Sequence, residues 1–336
     1  MQQNPKVSIL IPAKNETHFV KDCLHSIQKQ TFQNWEVILV DDHSTDDTNS
    51  IVKSIAEKDS RIKCLMNQGQ GIISALRTAY ELASGDFITR MDADDLMRPN
   101  KIEVLYNGLI KHGKGHVAVG GVHYFAETNL KSGFKNYQKW LNKHTAAGTN
   151  FTDIFKECVI PSPCWMLSRE DLDGINAFNE ERYPEDYDLA FRMYAKGYEV
   201  IPTDQVLHDW RDYATRTSRT SDTYKEYTFT EIKWYYFNLL HRDSSKQLLV
   251  MGTGYRGKKI AHHLIQLGID FLWISNNDEK IGKHIYNQMI YDLSMDLDWK
   301  NIQCIGTVAS EMGKKFLEDL IESHGGEMNK ELFHFC

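Results

Sequence analysis

Val7-Ser8-Ile9-Leu10-Ile11, a helical pattern from 19 to 30, then Glu36-Val37-Ile38-Leu39-Val40 is the stretch that decides the fold. Two short apolar runs separated by a longer segment of helical spacing form a βαβ unit. The alternation continues outward. Ser44 and Asp47 stand at capping-box spacing, with Asp in place of the usual Glu or Gln, and announce a helix from 47 to 58. A third helix is expected from 71 to 83, and a strand from 86 to 91 ends on Asp92-Ala93-Asp94-Asp95. Open sheets of this kind bind ligands beyond the carboxyl ends of their strands. Here those ends carry Pro12 to Glu16, Asp41-Asp42 and Asp92 to Asp95.

Further along, the pattern predicts a helix at 101–112, a strand at 117–124, a polar loop or acceptor-side insertion at 126–150, and a helix at 184–196. Residues 222–242, with Trp234-Tyr235-Tyr236-Phe237, read as an aromatic amphipathic helix. It serves either as a connector packed on both domains or as a membrane-surface contact, the connector being the simpler reading. A second βαβ start follows: Gln247 to Met251, then Gly252-Thr253-Gly254-Tyr255-Arg256-Gly257, a helix to 267 and a strand from 269 to 274. This is the setting of a dinucleotide fingerprint, yet Ser275-Asn276-Asn277 occupy the place of the acid that would hold a ribose. A redox role, a nucleotide-sensing role and a purely structural or interaction role all stay open, the last being preferred.

The 336 residues are 41% hydrophobic and 25% charged, a globular composition long enough for two domains. A net charge of −7 excludes a general nucleic-acid binder, which would carry a basic stripe. Without a basic and apolar leader, or a run of about 18 apolar residues, the chain is expected in the cytoplasm, with the inner face of a membrane and peripheral contact left open. Six scattered cysteines without a Cys-x-x-Cys pair fit reduced thiols.

Two acidic stretches carry the chemistry. Carboxylates at Asp92 and Asp94, flanking the small Ala93 after a strand, suit a hard divalent ion, Mn2+ or Mg2+, better than zinc. Glu185-Asp186 follows Pro184, which can start a helix whose positive end stabilises nearby acids. Together they suggest a metal site facing a catalytic base. Asp188 and Arg192 are read as a helix-surface pair.

Pro12-Ala13-Lys14-Asn15-Glu16, Gln30-Thr31-Phe32, Val40-Asp41-Asp42, Asn67-Gln68-Gly69-Gln70-Gly71, Ala83-Ser84-Gly85-Asp86, the acidic cluster and Glu185-Asp186 occur in an order that resembles family 2 glycosyltransferases of the GT-A fold, over roughly the first 215 residues. The resemblance implies an α/β, mixed and mainly parallel GT-A domain at 1–220, a linker helix at 221–244 and a Rossmann-like α/β domain at 245–336. It implies a donor site of Pro12, Asn15, Glu16, Asp42, Gly71, Arg77, Asp92, Ala93 and Arg211, and metal ligands Asp92, Asp94 and His208. Asp186 becomes the base, with Glu185 in support. The implied reaction is inverting transfer of a hexose or N-acetylhexosamine from a UDP-sugar to a hydroxyl of a glycan or lipid-linked saccharide.

Asp95 is expected to cap a helix before Pro99 or to support the ligands, and Arg211, Arg216 and Arg219 to clamp the diphosphate. Arg77 departs from the family pattern; it meets a diphosphate or sugar substituent, or pairs with Asp86 or Glu81 on the surface. Two alternatives are weighed. A sugar-phosphate nucleotidyltransferase would open with a glycine-rich loop where this chain has Pro12 to Glu16, and the intact acids argue against a non-catalytic nucleotide-sugar sensor. Self-association is left open.

Overall fold

The computed structural model describes residues 6–126, 130–179, 181–216, 219 and 229–336. The chain divides into two compact units, Met1–Phe151 with Val159–Ser221, and Thr152–Cys158 with Asp222–Cys336.

In the first unit the order is β1 (Val7–Ala13), α1 (Val20–Gln28), β2 (Trp35–Asp41), α2 (Thr48–Ala56), β3 (Ile62–Met66), α3 (Gly71–Leu82), β4 (Phe87–Arg90), β5 (Leu96–Met97), α4 (Lys101–His112), β6 (His116–Val119), β7 (Gly121–Ala126), α5 (Ser132–Ala147), β8 (Trp165–Ser168), α6 (Arg169–Gly174), α7 (Glu185–Ala195), β9 (Glu199–Ile201) and β10 (Val206–Asp212). Seven strands form one sheet in the order β3-β2-β1-β4-β8-β6-β9, and β5-β10-β7 form a small second sheet. Strands β3, β2, β1 and β4 are parallel, and β8 runs against both β4 and β6. The sheet is therefore mixed and mainly parallel. Because β1 is flanked by β2 and β4, the loops after these three strands open at the same edge.

At the other end of β1, buried Glu36 accepts hydrogen bonds from Ser8 Oγ at 2.7 Å and Ser84 N at 2.7 Å and pairs with Lys6 Nζ at 2.8 Å. Burial opposes its charge, but these partners prevail and hold its carboxyl down at about 2. Gly85 is required beside it, since a Cβ there would stand 2.6 Å from Ser8 N.

Four features depart from the sequence-based expectations. Ile62–Met66 is an added strand, and the strand expected at 117–124 is broken at Gly120 into β6 and β7, which join different sheets. The stretch 126–150 holds the 16-residue helix α5 rather than a loop alone. No capping box forms at α2: the Asp47 side chain makes no cap bond, while Ser44 N donates to Asp41 Oδ1 at 3.1 Å and Thr48 N to Asp46 Oδ1 at 3.0 Å.

The second unit contains α8 (Thr230–Leu240), β11 (Gln247–Met251), α9 (Tyr255–Gln266), β12 (Leu272–Ser275), β13 (His284–Ile285), β14 (Gln288–Asp292), β15 (Ile302–Gly306), α10 (Glu311–Ser323) and β16 (Leu332–His334). Its sheet runs β13-β14-β12-β11-β15-β16, parallel except for the β13 edge. The glycine turn after β11 is tight: Gly252 has φ +115°, and a Cβ on Gly257 would lie 2.1 Å from the Gly252 carbonyl oxygen. Ser275 Oγ, where an acid was sought, sits 3.2 Å from Thr253 Oγ1. Thr152–Cys158 packs into this unit, with the Phe155 ring 5.7 Å from Phe335 and 5.5 Å from Phe333.

Candidate active site

The loops after β1 and β2 are tied to each other and to the start of α3. Asn15, at φ +57°, accepts from Thr45 N through Oδ1 at 2.8 Å and donates its own N–H to Ser44 Oγ at 2.9 Å. Pro12 lies in register with Val40. Asp42 Oδ1 accepts from Asn67 Nδ2 at 2.6 Å and from Gly71 N at 2.9 Å, while Oδ2 faces Lys14 Nζ at 3.1 Å. Burial works against the Asp42 charge, but Asn67, Lys14 and Gly71 outweigh it and hold its carboxyl below the ordinary value. Pro12, Asn15, Asp42 and Gly71 are thus gathered at one end of the sheet, and Asp42 shapes the glycine-rich turn.

Glu16 turns toward the acidic cluster. Tyr213 Oη donates to Glu16 Oε1 at 3.4 Å. Burial, then the nearby Asp94 charge, pushes Glu16 up to about 8.

Single ligand oxygens of Asp92, Asp94 and Asp95 lie within 4.8 Å of one another. Asp94 is pushed up to about 7 by burial and by Asp95, with Arg216 acting in the opposite sense. Carboxylates held so close that their charges are mutually opposed fit a hard divalent cation, which would relieve the repulsion. Ala93, between the two acids in sequence, is 3% exposed.

His208 does not join them. Its Nε2 stands 2.9 Å from Asp95 Oδ2 and its Nδ1 3.3 Å from Lys101 Nζ, with all three side chains buried. An ammonium only donates, so Nδ1 accepts and Nε2 carries the proton given to Asp95. Burial, then the Lys101 charge, drives the imidazole well below its ordinary value, which keeps it neutral. Both ring nitrogens are engaged within the chain, to Asp95 and Lys101, and the acids that cluster are Asp92, Asp94 and Asp95. Asp95 caps no helix before Pro99, because α4 begins at Lys101. Its Oδ1 instead accepts from Arg211 N at 2.7 Å.

The base candidate enters from α7, after a cis Tyr183–Pro184 bond. Asp186 is half-buried and accepts from Tyr187 N at 2.8 Å. Burial and the adjoining Glu185 push it up to about 7, against the pull of Arg90; the Asp92 charge adds to the rise. Arg90, at the end of β4, reaches Asp92 Oδ1 through Nε at 3.1 Å and Glu185 Oε1 through Nη1 at 2.9 Å. It draws the acidic cluster and the start of α7 to one place. Sequence reasoning missed Arg90; its signal was a charged residue at the end of a strand, two positions before Asp92.

The remaining cations divide. Arg211 lies between the rings of Phe19 and Phe125, at 4.5 and 4.7 Å, and donates through Nε to the Asp94 carbonyl at 2.7 Å. Arg216 Nε stands 3.7 Å from Asp94 Oδ2. Arg219 forks onto Asp212, with Nε 2.8 Å from Oδ1. Asp188 does pair with Arg192, at 2.6 Å, but it is buried rather than on the surface and also meets Arg182 at 2.8 Å. Arg77 pairs elsewhere than with Asp86 or Glu81: Nε donates to the Phe178 carbonyl at 3.0 Å, and Nη2 to the Asn179 carbonyl at 3.3 Å and to Glu181 Oε1 at 2.9 Å.

Known proteins resemble this chain in sequence and in fold. Residues 8–175 match the family described as glycosyl transferase family 2. EpsE of Bacillus subtilis (strain 168) is 30% identical over 226 residues, covering 67% of this chain and 79% of EpsE. WfgD of Escherichia coli, a UDP-Glc:alpha-D-GlcNAc-diphosphoundecaprenol beta-1,3-glucosyltransferase, is 39% identical over 107 residues, 32% of this chain and 42% of WfgD. Across such curated relatives the chain spans between 28% and 79% of their lengths. The solved structure of S. aureus TarS 1-349 in complex with UDP-GlcNAc superposes with a TM-score of 0.57 at 17% identity, over 77% of this chain and 71% of TarS, which establishes a GT-A fold. With the family match spanning half of the 336 residues and the acidic cluster and Glu185-Asp186 drawn together on that fold, the chain belongs to glycosyl transferase family 2.

Proposed function

We propose that this chain is an inverting, metal-dependent glycosyltransferase that moves a hexose or N-acetylhexosamine from a UDP-sugar to a hydroxyl of a glycan or lipid-linked saccharide. The observation that carries the reading is Arg90, bound at once to Asp92 and Glu185, since it sets an acidic cation site beside a carboxylate able to take a proton. Asp92 and Asp94 would hold Mn2+ or Mg2+, with Glu16 beside them. The ion, when bound, neutralises the charge that develops on a departing diphosphate.

The chain's own residues supply the rest. Pro12, Asn15, Asp42 and Gly71 frame the nucleoside side, and a carboxylate such as Asp42 accepts hydrogen bonds from an imide or ribose hydroxyls. Arg211, whose guanidinium lies between two rings, would face the diphosphate. Asp186 takes the proton of the acceptor hydroxyl as the acceptor oxygen bonds to the anomeric carbon and the bond from that carbon to the diphosphate oxygen breaks. One displacement of this kind inverts the anomeric centre. The lipid-linked acceptor is favoured by the substrate named for WfgD, and the UDP donor by the ligand of TarS.

A donor screen tests this. The full chain, with Mn2+ or Mg2+, is offered UDP-, GDP- and TDP-sugars with saccharide acceptors, and free nucleotide is measured. Release from a UDP-sugar that requires both the ion and an acceptor is expected; no release from any donor would reject the reading.

A further inference from the structure

Helix α3 begins with backbone N–H groups that have no partner inside the helix, and Gln70 before it makes no side-chain cap bond. The first of those groups is satisfied from the nucleoside side, where Gly71 N donates to Asp42 Oδ1 at 2.9 Å; on its other side a Cβ on Gly71 would stand 3.3 Å from the hydroxyl of Tyr183, three residues before Asp186. One to two turns further along, Arg77 binds the Phe178 and Asn179 carbonyls and Glu181 Oε1, and the Tyr80 ring meets Phe178 edge-on at 5.6 Å. Tyr80 Oη also donates to Asp173 Oδ1 at 2.6 Å.

The segment leading into the base is thereby strapped along the same helix whose first residue is fixed by Asp42. We propose that Arg77 is a positioning residue: by holding Phe178, Asn179 and Glu181 on α3, it sets where the Asp186 carboxylate lies relative to the donor. The inference rests on Asp186 being the base. It explains why an arginine stands at a position where the family pattern has another residue, and it removes Arg77 from the donor contacts.

The test compares wild type with Arg77→Met, Arg77→Lys and Glu181→Gln in the full chain. Hydrogen exchange by mass spectrometry is read over 178–187 and over 67–72, UDP affinity by calorimetry, and kcat with the donor found in the screen. In Arg77→Met, exchange over 178–187 speeds up while 67–72 is unchanged, UDP affinity stays within about twofold, and kcat falls by about 10- to 100-fold, the scale of a catalytic group displaced by about 1 Å. Arg77→Lys recovers part of kcat. Glu181→Gln keeps the two carbonyl bonds and so loses less than Arg77→Met, in the same direction; it carries the test if Arg77→Met does not fold. Unchanged exchange over 178–187 overturns the proposal whatever the activity, and so does a loss of UDP affinity with kcat intact, which would make Arg77 a donor contact. An inert wild type in the screen rejects the transferase reading instead, and the exchange measurement still decides whether the strap exists.

Discussion

Arg90 Nη1 lies 2.9 Å from Glu185 Oε1, joining residues 95 apart in the chain across buried side chains. Because the same guanidinium holds Asp92, the distance between the cation site and the head of α7 is set by one rigid fork rather than by loop packing. Arg90→Met would leave these carboxylates facing one another without their cation. It is expected to destabilise the fold by about 3 kcal/mol or more, read as a lower urea midpoint, with Arg90→Lys losing less. Equal midpoints for all three proteins would contradict this account.

Asp186→Asn keeps the shape of the base but cannot take a proton. Turnover should fall by about 10²- to 10⁴-fold while UDP binding in calorimetry stays unchanged. A variant that loses donor affinity in proportion to turnover would place Asp186 among the donor contacts instead.

The pH dependence has two opposite signs. Asp186 must be ionised to act, so kcat should rise with pH through about 7, and a flat profile between pH 5.5 and 8.5 would exclude it as the base. For stability the direction reverses. Glu16, Asp94 and Asp186 are raised above their unfolded values, so between about pH 4 and pH 8 the native chain keeps protons that the unfolded chain has lost, and stability contributed by these groups declines as pH climbs. Adding Mg2+ should flatten that decline in chemical-denaturation curves.

Asp94→Ala should remove the Mn2+-dependent part of UDP binding. Calorimetry with and without the ion measures it directly, and the same affinity gain from Mn2+ as in wild type would withdraw Asp94 as a ligand.

His208→Ala separates support from ligation. It strips Asp95 and Lys101 of a shared neutral partner in a buried site, at a cost of about 1–3 kcal/mol for each group left without its bond. Thermal and urea unfolding should record that loss. Stability equal to wild type would restore His208 to the list of possible ligands.

Much of this was legible in the chain. The βαβ opening, α3, α4, α7 and the placement of Asp42, Asp92, Asp94 and Asp186 followed from periodicity and from motifs in their order. What was not legible depends on contacts distant in sequence. His208 was read from its place after a strand, yet its partners are Lys101 and Asp95, more than a hundred residues earlier. Arg77 likewise takes its meaning from residues 178–181. Helix α5 was hidden by its polar composition, although Phe134, Tyr137, Trp140 and Leu141 keep a helical spacing within it. The break at Gly120 needed tertiary knowledge, since a Cβ there would meet Cys164 Sγ at 2.7 Å.

The segment Thr152–Cys158 has a practical consequence for anyone dissecting the protein. Phe155 is covered by Phe237, Phe333 and Phe335, residues that arrive only with the last third of the sequence. Cutting the gene after codon 221 would therefore release an aromatic plug into water from the middle of the transferase fragment. Such a truncation should come out of expression as a sticky, aggregating species, whereas masking that plug by replacing Phe155 with a polar residue should recover soluble material.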